Sequence, residues 1–269
     1  MQHVTVGGVQ VFALVDDVQA YPATDVYHQA GDALDAYRHY LEPDGGISLN
    51  FGCFLLRDAD ATVLVDTGLG ADANGKLLQE LDAAGVDPAS IDRVVFTHLH
   101  GDHTGWNIDP ATGKPRFSAA RYLVPGADWA HYSKQEEPPA SFTRDVVPLQ
   151  QSGVMELFDG EQTVTPSITA IPTPGHTPGH TSLVISSQGE RGFILGDVVL
   201  TPVDAEELTW VNTFDWDSET ARATRLRIVD RLVNDGSLVG ASHMPAPGLG
   251  RFIRTEGRTA WQGYRPGED

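Results

Sequence analysis

The chain has 269 residues, of which 41% are hydrophobic and 20% charged, the composition of a globular protein with a sizeable core. Its formal net charge of -19 argues against nucleic acid and membrane surfaces as partners, because a negative field repels phosphate groups. No apolar run reaches the roughly 18 residues of a membrane span, and the opening residues carry no secretory-signal pattern. We therefore expect a cytoplasmic protein.

The first half of the chain alternates strand and helix signals. Three early segments are apolar or alternate in polarity and predict strands: 9–15, 48–56 and 61–65. Segment 21–40 is aromatic and partly helical, and we interpret it as a flap or a contact surface. Residues 76–84 predict a short amphipathic helix that Gly85 ends. Residues 91–96 predict a buried strand that leads directly into a histidine-rich loop.

The second half repeats this pattern, with strands predicted in four apolar segments: 167–171, 182–185, 191–195 and 238–240. Residues 219–234 predict a helix whose apolar stripe consists of Leu226, Ile228, Val229 and Leu232. Strand ends that meet polar loops in both halves predict two sheets with helices outside. No repeat or long linker interrupts the chain, so we expect one domain over residues 1–269.

The segment His98-Leu99-His100-Gly101-Asp102-His103 carries the strongest functional signal. Three imidazoles and one carboxylate lie within six residues, directly after a predicted strand. Alternation puts His98 and His100 on one side of an extended chain, and Gly101 then lets the backbone turn. Imidazole and carboxylate groups are ligands that zinc and similar ions accept. The spacing therefore predicts a metal site.

Three downstream positions supply further potential ligands. His176 follows His103 by 73 residues, in a loop that two prolines and two glycines shape; Asp197 comes 21 residues later, and His243 another 46. Asp197 ends a predicted strand, where its two oxygens could contact two ions. We interpret the neighbouring His180 as a structural residue.

This order and spacing resemble the metallo-β-lactamase superfamily. The resemblance implies an α+β fold, a four-layer αββα sandwich in which two mixed β-sheets are flanked by helices. Carried over position by position, it implies that His98, His100 and His176 hold a first divalent metal ion. Asp102, His103 and His243 would hold a second ion, and Asp197 would contact both. Zinc is the favoured metal, with iron, manganese and cobalt as alternatives.

The branch of the superfamily follows from finer features. Asp197 stands where β-lactamases have cysteine, and His100 stands where flavodiiron proteins have glutamate. The segment 242–250 resembles the closing motif of methyl parathion hydrolase and its lactonase-like neighbours. We therefore expect a dinuclear hydrolase whose metal-bridging hydroxide attacks a lactone, aryl ester or phosphotriester of a small apolar substrate. A mono-iron persulfide dioxygenase and a glyoxalase II-like thioester hydrolase stay open as alternatives.

Other residues receive roles from their position beside these motifs. Asp102 is the candidate to orient the hydroxide and shuttle a proton, or it is a ligand only. Asp66, after the strand 61–65, is expected to accept a hydrogen bond from a ligand histidine. Aromatic residues near the motifs indicate an apolar pocket mouth, and three are expected to contact substrate: Trp106, Trp210 and Phe214. The loop 201–214 is the favoured substrate loop, and a homodimer stays open.

Overall fold

Two seven-stranded sheets organise the computed structural model, which describes residues 2–59 and 61–265. The strands of the first half of the chain are β1 (Gln2–Val6), β2 (Val9–Pro22), β3 (Gly46–Asp58), β4 (Ala61–Val65), β5 (Arg93–Val95), β6 (Ile108–Asp109), β7 (Lys114–Pro115), β8 (Arg121–Pro125) and β9 (Met155–Phe158). Those of the second half are β10 (Gln162–Thr165), β11 (Ile168–Pro172), β12 (Thr181–Ser187), β13 (Glu190–Ile194), β14 (Leu238–Gly240), β15 (Leu249–Thr255) and β16 (Arg258–Gly263).

Helices lie between and after these strands. The α-helices are α1 (Ala23–Val26), α2 (Leu77–Ala83), α3 (Gly101–Thr104), α4 (Gly126–Tyr132), α5 (Val147–Gln151), α6 (Pro202–Glu206) and α7 (Ser218–Asp235). Three 3-10 helices (Gly31–Tyr40, Ala71–Ala73 and Pro88–Ser90) and one π-helical turn (Phe142–Val146) complete the set. Within the described residues, no helix combines the length and the apolar character that crossing a bilayer requires.

Both sheets are mixed. The first has the order β1-β2-β3-β4-β5-β8-β9, antiparallel as far as β4 and parallel from β4 to β9. The second runs from β10 to β16 in chain order and is antiparallel except for the pair β13 and β14. Strands β6 and β7 form a small separate ribbon. The parallel pairs matter most for function, because they bring the carboxyl ends of neighbouring strands to the same edge.

Three apolar clusters divide the molecule into layers. Strand β2 shows how: Val9, Val11 and Ala13 pack between the two sheets, whereas Phe12 and Leu14 point to the opposite face, towards α2. A third cluster joins the outer face of the second sheet to Ile228, Val229 and Leu232 of α7. The result is a helix–sheet–sheet–helix arrangement, so the predicted αββα sandwich is confirmed.

In helix α7, one residue of the predicted apolar stripe lies outside the buried face. The helix begins after Asp217, whose side chain accepts hydrogen bonds from two backbone amides, and ends before Gly236 in the left-handed conformation. Leu226 is 42% exposed and does not belong to the buried face. That face instead contains the fully buried Arg225, because residues 225, 228, 229 and 232 follow the helical period and Leu226 falls one step around the axis.

The segment 21–40 packs against α6. Tyr27, Leu34 and Tyr37 form a buried cluster with Val203 of that helix. The Tyr27 hydroxyl lies 2.6 Å from the hydroxyl of Thr201, the residue that caps α6. The segment thus forms a contact surface within the chain, and Tyr21 at its start lines a cavity described below.

The buried face of α7 gives a matched stability test. Leu232→Ala removes a fully buried side chain from the third cluster, so the free energy of unfolding should fall by about 2–5 kcal/mol. Leu226→Ala is the same change on the exposed face and should alter it by less than about 0.5 kcal/mol. Urea denaturation of both variants measures the difference; equal losses would contradict the assignment of the two faces.

Candidate metal centre

The predicted ligands come from the carboxyl ends of strands that meet at one edge of the sandwich. Residues 97–103 follow β5, Asp197 comes shortly after β13, and His243 comes shortly after β14. Because β13 and β14 are parallel neighbours, Asp197 and His243 emerge side by side, although 46 residues separate them. His176 lies in the loop between β11 and β12. The face-to-face packing of the sheets brings all these ends together.

Three histidines form a first group. His98 Nε2 and His176 Nε2 each lie 3.0 Å from His100 Nδ1. Because these nitrogens lie within 4.8 Å of one another, one ion could contact all three. His98 and His176 are buried, and His100 lines the cavity above them.

A second group combines Asp102, His103 and His243. Asp102 Oδ2 lies 3.5 Å from His103 Nε2 and 3.4 Å from His243 Nε2. The turn into α3 creates this geometry, since it places Asp102 and His103 on a different side of the loop from His98 and His100. These three ligand atoms also lie within 4.8 Å of one another.

The Asp197 carboxylate lies between the two groups. Its Oδ2 is 3.3 Å from His176 Nε2 of the first group and 3.0 Å from His243 Nε2 of the second. Its Oδ1 is 3.4 Å from His103 Nε2. One carboxylate therefore faces both groups, which is the position that the resemblance implied for it.

Two buried atoms test whether this centre fits metal ions. His103 Nε2 and Asp197 Oδ1 have no hydrogen-bond partner, although their residues are 1% and 3% exposed. Buried polar atoms are normally satisfied, and metal coordination at these two atoms would satisfy them. The donor set of five imidazoles and two carboxylates suits zinc and similar divalent ions. The residues present thus fit a pair of metal ions.

The protonation preferences of the two groups differ. Burial lowers the pKa of His100 to about 4, and burial also lowers the pKa of His98, so both rings are neutral with a free lone pair. Burial opposes charge at His103 as well, but the nearby carboxylates, Asp197 first, raise its pKa. In turn His243 and His103 hold the pKa of Asp197 well below its usual value despite burial. The second group is thus a compact arrangement of opposite charges.

Asp66 holds the first part of the histidine loop. It takes the left-handed conformation, with φ of 59°, which is rare outside glycine and concentrates at functional sites. Its Oδ2 lies 2.8 Å from His103 Nδ1, and it accepts hydrogen bonds from the amide and hydroxyl of Thr97 at 2.8 and 2.7 Å. These contacts direct His103 Nε2 towards Asp197, in keeping with the role expected for Asp66.

Asp215 supports His176 in the same way, a role that the sequence patterns did not predict. Its Oδ1 lies 3.2 Å from His176 Nδ1, and its Oδ2 accepts a hydrogen bond from Arg225 Nη2 at 3.3 Å. Arg225 also donates to the carbonyl oxygens of Val198 and Trp210. The sequence contained one indirect signal for this role. Arg225 has apolar neighbours on its helix, and a buried guanidinium requires a buried acceptor such as Asp215.

Asp128 links the two loops that carry the first group. This fully buried carboxylate accepts hydrogen bonds from the amide of Leu99 at 3.1 Å, the hydroxyl of Thr177 at 2.9 Å and the amide of Gly179 at 2.5 Å. Leu99 lies between two histidines of the group, and Thr177 follows the third. No local motif marked Asp128, because its partners come from distant parts of the chain.

His180 supports the backbone beside Asp197 and lies outside the candidate ligand groups. Its Nε2 accepts a hydrogen bond from the Asp197 amide at 2.9 Å. Burial lowers the pKa of His180 to about 3, so the ring stays neutral and can accept this bond. The approach requires Gly196, where a Cβ atom would lie 2.7 Å from His180 Nε2.

A cavity of about 330 Å³ opens above the centre. Five proposed ligands contribute to its floor, and the wall is largely apolar; the wall residues are Tyr21, Leu49, Phe51, Leu69, Leu200 and Phe214.

Of the aromatic residues expected to contact substrate, Phe214 lines this cavity. Trp106 instead is buried and donates its indole N–H to Asp16 at 2.8 Å, and Trp210 packs edge-on against Tyr37. Neither tryptophan is among the described residues that line the cavity.

Comparisons with known proteins bear on the family and the fold of this chain. A family model described as the metallo-beta-lactamase superfamily matches residues 53–234. An N-acyl homoserine lactonase of Bacillus cereus is 24% identical over 225 residues, which cover 76% of this chain and 84% of the relative. A dizinc quorum-quenching lactonase, solved in complex with the product N-hexanoyl-L-homoserine, superposes with a TM-score of 0.85 at 22% identity, covering 98% of this chain and 97% of the other. A hydrolase of the beta lactamase superfamily superposes with a TM-score of 0.84 at 24% identity, with the same coverage.

Asp197→Asn tests the shared carboxylate. The change removes the negative charge between two groups of metal ligands, so the protein should lose both ions and most of its activity. Asp145→Asn is the control, because it removes another buried aspartate that is paired with Arg144 outside the centre and should leave the metal content unchanged. Elemental analysis after gel filtration measures this. Two retained ions in Asp197→Asn would contradict a shared role.

Asp215→Asn tests the support of the first group. Without the charge on Asp215, His176 should be held less firmly, and the affinity of the first group for zinc should fall about 10- to 100-fold. Asp235→Asn, which removes an aspartate paired with Arg191 near the surface, should have no effect. Competition with a chromogenic chelator measures the zinc affinity of each ligand group. The affinity should fall for one of the two bound ions only. An unchanged affinity would show that Asp215 does not act through His176.

Proposed function

We propose that this chain, which belongs to the metallo-β-lactamase superfamily, is a dinuclear metal-dependent hydrolase that opens lactone rings. The observation that carries the proposal is the arrangement of two ligand groups around Asp197 at the floor of an apolar cavity. This arrangement supports hydrolysis of an ester bond in a small substrate that carries an apolar group. Zinc is the proposed metal, because imidazole nitrogens and carboxylate oxygens make up the donor set.

Bound metal ions would activate water and polarise the carbonyl oxygen of the substrate. The protein's own part is to hold the reacting groups in a fixed geometry. Asp66 and Asp215 each contact the ring of a ligand histidine, and Asp128 holds the backbone next to two others. His180 holds the backbone amide of Asp197. The reacting centre therefore needs little rearrangement when a substrate enters.

Asp102 is the proposed proton carrier. Both Asp102 and Asp197 line the cavity, but the Asp102 side chain is 25% exposed and that of Asp197 only 3%. Burial alone would raise the pKa of Asp102, but His103 and His243 lower it by a larger amount, so the carboxylate is ionised. When water adds to the lactone carbonyl and the ring C–O bond breaks, Asp102 would take a proton from the water and deliver one to the leaving alkoxide.

Substrate selection would rest on the cavity wall. Leu49, Phe51 and Phe214 present an apolar surface that suits an acyl chain, and a volume of about 330 Å³ suits a small lactone with a short chain. The Bacillus cereus relative and the dizinc structure are both named as lactonases, which supports N-acyl homoserine lactones as the substrate class. The second ligand group around Asp102 supports the dinuclear hydrolase over a mono-iron oxygenase.

A direct assay tests this function. The zinc-loaded protein should open N-hexanoyl homoserine lactone, with release of one proton per turnover and a product mass increased by one water. Removal of the metal with a chelator should abolish the reaction, and added zinc should restore it. Asp102→Asn should keep the fold and lose about 100-fold or more in kcat, because proton transfer is lost. Turnover that persists in the metal-free protein would contradict the proposal.

A further inference from the structure

The wall of the active-site cavity contains one hydrogen-bonding side chain outside the proposed metal ligands. Of the described residues that line it, five are proposed ligands, five are apolar, one is Gly101 and the last is Tyr21. A polar group in an otherwise apolar wall gives a bound molecule a directional contact. Tyr21 therefore occupies the position from which polar substrates can be distinguished.

Tyr21 belongs to a ladder of side chains along β2. Asp17, Gln19 and Tyr21 alternate along the strand and so share one face. Across the sheet, the Cα partners of Asp17 and Gln19 are Phe51 and Leu49, which also line the cavity. The Tyr21 ring lies 6.5 Å from the Phe51 ring. The ladder therefore reaches the cavity through the same two strands that form its apolar wall.

Hydrogen bonds within the ladder fix the direction of the Tyr21 proton. Gln19 Nε2 donates to Asp17 Oδ2 at 2.9 Å, which orients the amide so that Gln19 Oε1 faces the tyrosine. The Tyr21 hydroxyl then donates to Gln19 Oε1 at 3.0 Å. Since the only proton of the phenol is used in this bond, a molecule in the cavity can meet the Tyr21 oxygen only as a hydrogen-bond acceptor.

The electrostatic surroundings of Tyr21 also favour a protonated phenol that acts as an acceptor towards the substrate. Burial and the charges of Asp102 and Asp17 raise the pKa of Tyr21, so the phenol keeps its proton. Tyr21 and Asp102 both line the cavity, so a substrate group that reaches both side chains meets two acceptors. Such a position suits a hydrogen-bond donor and disfavours another acceptor.

We propose that Tyr21 is a specificity-determining residue that accepts a hydrogen bond from an N–H group of the substrate. It thereby selects lactones with an acylamino substituent beside the ring carbonyl over lactones that lack the N–H. This inference rests on the proposed lactonase function and adds to it a residue from the N-terminal hairpin. It also explains the ladder: Asp17 and Gln19 keep Tyr21 in the acceptor orientation.

A matched pair of substrates tests the proposal. One is an N-acyl aminolactone, and the other is its analogue with CH2 in place of the N–H. Wild type should prefer the amide in kcat/KM, and Tyr21→Phe should reduce that preference about 3- to 10-fold, the contribution of one neutral hydrogen bond. The loss should fall on the amide, with kcat/KM for the analogue changed less than twofold. Gln19→Leu, which frees the phenol proton, should reduce the preference in part.

Tyr40→Phe is the control, because the Tyr40 hydroxyl donates to Glu206 and does not line the cavity. It should leave the preference as in wild type, and thermal melting of each variant checks the fold. If Tyr21→Phe keeps the preference, or slows both substrates equally, the inference is wrong while the lactonase proposal stands. If wild type opens neither lactone, the proposed function fails first and the inference falls with it.

Discussion

The carboxylate of Asp197 is the interaction on which the candidate centre depends. It is almost fully buried and has histidines of both ligand groups within 3.4 Å of its two oxygens. A carboxylate in such a place is stable only if positive charge surrounds it, which the imidazoles supply in part and metal ions would complete. The two sheets must therefore deliver their strand ends to one point, and the parallel pairing of β13 and β14 does this for Asp197 and His243.

Behind the ligands, buried aspartates act as fixed acceptors. Asp66, Asp128 and Asp215 each contact a ligand histidine or the backbone next to one, and Arg225 balances the charge of Asp215. Each carboxylate comes from a different element, so the two histidine loops are held by long-range contacts. Such support restricts the rings to rotamers that aim nitrogen atoms at a common point, which is the requirement for tight metal binding.

The sequence predicted local features well and long-range contacts poorly. The strand 61–65, the helix over 219–234 and the histidine cluster depend on neighbouring residues, and the structure contains all three. Asp128 could not be predicted, because its partners lie 29 to 51 residues away. For Asp215 the sequence held only the indirect signal of Arg225, because the histidine that it contacts lies 39 residues away. Trp106 was assigned to the substrate by its closeness in sequence to His103. Its partner Asp16 lies 90 residues earlier, and that contact buries the indole.

Part of the cavity wall comes from a different part of the chain than most of the proposed ligands. Six of the seven proposed ligands lie within the segment 53–234 that matches the family, whereas Tyr21, Leu49 and Phe51 precede it. The long hairpin of β2 and β3 carries these wall residues across the sheet, and the Asn50 carbonyl accepts a hydrogen bond from His243 Nδ1 at 2.7 Å. The hairpin that shapes the cavity thus also orients one ligand. Because that contact uses a backbone carbonyl of β3, a substitution of the Tyr21 side chain on β2 can change the wall without removing it.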